Sequence, residues 1–74
     1  MNDLMYIEGT IPVGNYGAYM VTYKLGNSLK QKIEILNYID ELNDGTNDLM
    51  FEAFGCITPT IISQKSIVGY IKLN

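Results

Sequence analysis

Histidine, arginine and tryptophan do not occur in this chain of 74 residues, which holds one cysteine and two prolines. Without histidine there is no imidazole base near neutral pH, no Ser-His or Cys-His pair, and no imidazole metal ligand. Without arginine there is no guanidinium fork for phosphate or guanine. The lone Cys56 cannot close a disulfide within the chain or build a zinc site. Set in "FGCIT" with no base beside it, Cys56 reads as a small buried hydrophobe rather than a nucleophile. "GNYG" and "GNS" are too short to cradle a phosphate. No apolar run approaches the roughly 18 residues of a membrane span. "MNDLMYIEG" lacks the basic and apolar regions of a secretory signal. These absences predict a protein that is not an enzyme, uses no cofactor or metal, avoids membranes and works in the cytoplasm. A net charge of −3, with five lysines as the only basic side chains, argues against direct contact with nucleic acid.

What is present is apolar. Hydrophobic residues make up 47% of the chain, far above a disordered composition. Residues 1–74 are expected to form a single small domain, whose core is marginal at this size. With disulfides and zinc excluded, a partner or a second subunit is the remaining staple, and a homodimer is expected. Abundant Ile, Asn, Lys and Tyr with no Arg is the bias of an AT-rich genome, as in many low-GC bacteria and their phages.

The chain opens with "DLMYIEGTIPV" and "YGAYMVTYKL", two β-prone runs separated by Gly14-Asn15. A two-residue Gly-Asn loop predicts a hairpin. Its register would place Tyr6 opposite Tyr23, with Met5, Ile7, Ile11, Val13, Ala18 and Met20 toward the core. Tyr6, Glu8, Tyr19 and Tyr23 would then share the second face. "NSLKQKIEILNYIDELNDG" follows, where Ser28 and Gln31 have capping-box spacing and Gly45 suits a helix terminus. A helix is predicted from Ser28 to Asp44, with an apolar arc wider than one sheet face needs. "IISQKSIV" predicts a second hairpin around Gln64-Lys65, with Ile62 opposite Ile67 and Cys56 opposite Leu73. "LMFEAF" fits either a strand or a helical turn. The expected fold class is α+β: hairpin, helix, hairpin, with the helix packed on a small antiparallel sheet.

Two surfaces stand out. "DELNDGTNDLMFE" carries Asp40, Glu41, Asp44, Asp48 and Glu52 and no positive charge. Asp40, Asp44 and Asp48 fall at EF-hand positions 1, 5 and 9, but Leu42 and Phe51 occupy two places that need oxygen ligands, so that loop is ruled out. On a helix, Lys30 and Lys32 at the start and Asp40, Glu41 and Asp44 at the end would all oppose the macrodipole. Such a broken rule suits an acidic patch made for a basic partner, and screened charges on a solvated corner account for it as well. The tyrosine face of Tyr6, Glu8, Tyr19 and Tyr23 is the second candidate, since tyrosine joins a large ring to a polar tip at low entropy cost.

The function expected from these features is a non-catalytic protein-binding module, in concrete form an inhibitor that occupies a basic surface of a nucleic-acid-handling enzyme. In size and acidity the chain is similar to small phage-encoded inhibitors, such as anti-CRISPR proteins and uracil-glycosylase inhibitors. Two alternatives are a small oligomeric binder of a nucleotide or other metabolite, and a structural self-assembling subunit.

Overall fold

The computed structural model describes residues 4–26, 29–53, 55 and 58–73. Among the described residues six strands form one antiparallel sheet: β1 (Tyr6–Glu8), β2 (Gly17–Lys24), β3 (Gln31–Glu41), β4 (Leu49–Ala53), β5 (Thr60–Ile62) and β6 (Ile67–Lys72). Their order across the sheet is β1-β6-β2-β3-β4-β5. Strands β2 to β5 form a meander, and β6 returns to lie between β1 and β2. The only helical turn among the described residues is a 3-10 turn at Gln64–Ser66, capped by the Ser63 hydroxyl.

A flat sheet would separate β5 from β6 by four strand spacings, ~19 Å. The connection through Gln64–Ser66 is a 3-10 turn with ~2 Å rise per residue, so it reaches only ~13 Å. The sheet must curl, and it curls around one core. Tyr19, Val21 and Tyr23 of β2, Leu36 and Tyr38 of β3, Leu49 and Phe51 of β4, Ile62, Ile67 and Tyr70 line the inner face. Ile11, from the loop before β2, is fully buried among them.

The expected α+β class is therefore corrected to all-β. Gln31–Glu41 is a strand, paired with β2 along one edge and with β4 along the other. Its residues alternate: Leu36 and Tyr38 face the core, while Ile33 and Ile35 stand 64% and 53% exposed on the outer face. Isoleucine at every second position on one side, and Leu and Tyr on the other, generates apolar residues at helical spacings too. The wide apolar arc was the sum of two strand faces. The charges expected at helix termini oppose no dipole, because Gln31–Glu41 is a strand; the proposed cap, Ser28, lies outside the described residues.

Neither predicted hairpin forms as such. The turn before Asn15 exists, closed by the Asn15 N–H on the Pro12 carbonyl at 3.1 Å, but it ends a loop rather than joining two paired strands. β1 pairs with β6, placing Tyr6 opposite Ile71. The Gln64-Lys65 turn is also present, yet β5 pairs with β4 and β6 with β2, so Ile62 and Ile67 meet through the core and not across a ladder. Leu49–Ala53 of "LMFEAF" is a strand. The Cys56–Leu73 pairing lies outside the described residues, as does Cys56 itself.

Candidate partner-binding surface

The strands place side chains on two faces, and the outer one is unusually apolar. Tyr6, Ile71, Met20 and Ile35 are directly opposite one another across β1, β6, β2 and β3, forming a continuous cross-strand row. The adjacent row carries Glu8, Gly69, Thr22 and Ile33. A Cβ on Gly69 would collide with the ring of Tyr6, which lies over it. The glycine thus lets an edge tyrosine fold flat onto the sheet.

Charges lie at the two ends of β3. Alternation puts Lys24, which pairs with Gln31, on the outer face at one end. Lys30 is exposed in the β2–β3 connection beside it. At the other end a bulge at Ile39 shifts the register, so that Asp40 faces Met50 and Glu41 faces Leu49. Asp40 is consequently on the outer face, and Glu52, opposite Asn37, is there as well. Eleven residues at ~3.4 Å give β3 a length of ~37 Å. That is close to the longest dimension of the molecule, 38 Å.

The five predicted acidic residues gather at this one end but divide into three settings. Asp40 and Glu52 flank Met50 on the outer face. Glu41 turns inward and accepts hydrogen bonds from the hydroxyls of Tyr16 at 2.6 Å and Tyr38 at 3.5 Å. That contact, followed by desolvation, pushes the Tyr16 hydroxyl up to about 12. Asp44 and Asp48 sit in the β3–β4 turn. Asp44 accepts from the Thr46 hydroxyl at 2.5 Å and the Thr46 N–H at 3.1 Å. These bonds hold its carboxyl below the usual carboxylate range. The turn is fastened further by the Gln64 side-chain amide, which donates to the Asn47 carbonyl at 2.7 Å. No ion pair holds Asp40, Asp44, Asp48 or Glu52 among the described residues; the pair found there joins Lys32 to Glu34 at 3.4 Å. No three acidic, cysteine or histidine side chains converge on a metal position among the described residues.

The predicted tyrosine face does not assemble. Tyr19 and Tyr23 are in the core, 1% and 6% exposed, while Tyr6 is 46% exposed on the opposite face with Glu8. The predicted faces of β2 are exchanged, because the register assumed from the Gly14-Asn15 turn is not the one formed. The set expected inside is mostly outside: Met5, Ile7 and Val13 are exposed, and Ile11 alone is buried. The core tyrosines instead use their tips as anchors. Tyr19 donates to the Asn15 carbonyl at 2.6 Å, and Tyr38 accepts from the Gly14 N–H at 3.1 Å, tying the loop before β2 to the sheet. At the open end of the curl Tyr23 donates to Glu34. Burial first, then this bond, pushes its hydroxyl up to about 12. A groove of about 510 Å³ opens beside it, bordered by Lys32, Glu34, Thr58 and Thr60.

The surface residues that sequence reasoning missed are Ile33, Ile35, Met20 and Lys24. The signal was the spacing of Ile33 and Ile35, two β-branched residues with one residue between them. No helix among the described residues is long and apolar enough to cross a membrane. Searches against known families, curated proteins and solved structures find no match to this chain.

Proposed function

We propose that this chain is a non-catalytic protein-binding module that seats its acidic β3–β4 end on a basic surface of another protein. In its concrete form that surface is the phosphate-binding groove of a nucleic-acid-handling enzyme, and the module acts as a cytoplasmic inhibitor. The observation that carries the reading is the segregation of charge along β3, with Asp40, Asp44 and Asp48 at one end and Lys24, Lys30 and Lys32 at the other. Lys65, in the 3-10 turn beside Asp48, offsets part of that charge and leaves the end acidic on balance, which steers encounter with a surface of opposite sign. The turn carrying Asp44 and Asp48 is cross-linked by Thr46 and Gln64, so little ordering is left to do on binding. The composition supports the non-catalytic reading, since it lacks histidine and arginine.

The test immobilises the protein and its Asp44→Lys/Asp48→Lys variant, passes source-cell extract over both, and elutes with heparin. Nucleic-acid-handling enzymes released from the parent column and absent from the variant column support the reading. Identical eluates, or none, would refute it.

A metabolite binder has one feature in its favour, the groove beside Tyr23. Its Lys32, Glu34 and Tyr23 groups already satisfy one another, which favours the first reading. A rise in melting temperature with a nucleotide panel would reverse that preference.

A further inference from the structure

We infer that the outer face of the sheet is the interface of a two-fold symmetric dimer, in which Lys24 of each copy meets Asp40 of the other. The centre of this face is apolar: Ile33 and Ile35 are exposed on β3, and the half-buried Met20 and Ile71 lie beside them on β2 and β6. Along β2, β3 and β4 its charges are of opposite sign at opposite ends, and the one carboxylate at the lysine end among the described residues, Glu8, stands apart on the edge strand β1. Lys24 stands level with Gln31, four residues before Ile35, and Asp40 comes five residues after it. A two-fold axis lying over the face and running across the strands along the Met20–Ile35 row carries the lysine row of one copy onto the carboxylate row of the other, and does so twice. Glu52 lies on the same face one row inside Asp40 and reinforces the acidic end. Self-complementarity of this kind is what an isologous interface requires.

The areas agree with a second copy. The chain exposes 5061 Å², against about 4,600 Å² that surface scaling gives for a folded monomer of 8.3 kDa. Strands β1, β6, β2, β3 and β4, of 3, 6, 8, 11 and 5 residues, present roughly 540 Å² in projection at ~3.4 Å per residue and ~4.8 Å spacing, before side-chain relief is added. Standard stable interfaces take ~800 Å² from each partner. A nucleic-acid occupant would need a face of positive sign, which this one lacks. Asp40 belongs to both ideas, but Asp44 and Asp48 lie in the turn beyond the face and take no part in the dimer, so the Asp44→Lys/Asp48→Lys variant tests the partner while the Lys24 and Ile35 variants test the dimer.

The experiment is sedimentation equilibrium on the full chain and four variants, each checked for strand content by far-UV circular dichroism. Lys24, Ile35 and Asp40 are exposed, so the substitutions leave the fold in place. The parent is expected to be a dimer. Ile35→Asp should be a monomer throughout. Lys24→Glu and Asp40→Lys should each loosen the dimer about tenfold, and the Lys24→Glu/Asp40→Lys swap should recover most of that loss. A parent that stays a single chain at about 1 mM, or grows beyond two chains, would overturn the inference. So would a dimer that survives Ile35→Asp, or a charge swap that recovers nothing.

Discussion

Tyr23 shows how one side chain serves core and rim together. Its ring fills the open end of the curl, and its hydroxyl reaches Glu34, which also carries Lys32. Tyr23→Phe keeps the ring and removes the donor, and about 1 kcal/mol of stability should be lost in urea titration. The same hydroxyl makes stability depend on pH. Its folded pKa is raised from 10.0 to about 12, so between those values the unfolded chain has released the proton and the folded chain retains it. The stabilisation is complete below pH 10 and disappears as pH rises toward 12. Thermal melts from pH 8 upward should show this fall, and a shallower one in Tyr23→Phe. A slope unchanged by the substitution would locate the dependence in other groups, such as Tyr19 and Tyr38, whose hydroxyls burial also raises.

At the scale of elements, β3 organises the molecule, and its alternation can be read energetically. Leu36 is fully buried while its neighbour Ile35 is half exposed. Leu36→Ala should cost about 2–5 kcal/mol, and Ile33→Ala and Ile35→Ala less than ~1 kcal/mol at concentrations where chains are single. A helix would have grouped Ile33 with Leu36, so equal losses at those two positions would contradict the strand. The edge strand β1 offers a second test. Because Tyr6 lies over Gly69, Gly69→Ala displaces the ring and loosens β1 from β6. Amides of Ile7 and Glu8 should then exchange with solvent faster, while those of β2 and β3 keep their protection.

For the whole molecule, closure depends on contacts between distant parts of the chain. Val21 pairs with Tyr70, and β1 with β6, so the last strand must arrive before the first can be placed. Loop closure of that length precedes most of the stabilising burial. Refolding should therefore take milliseconds to seconds, as in other small β proteins, and stopped-flow Tyr fluorescence would measure it. Microsecond refolding would mean that local structure carries more of the stability than this topology allows.

The sequence by itself determined which residue types are absent, the turns near Gly14-Asn15 and Gln64-Lys65, and the crowding of Asp40, Asp44 and Asp48. Those follow from residue types and from backbone preferences spanning a few residues. It did not determine the state of Gln31–Glu41, because apolar side chains on both strand faces mimic helical spacing, and local period then carries no information. Nor did it determine which tyrosines are buried, since a slip of one residue exchanges every side chain between faces. Only the tertiary structure decided both. β6 pairs between β1 and β2, the curl chooses one face as the core, and the length of β3 turns an uneven run of charges into two opposite ends of one molecule.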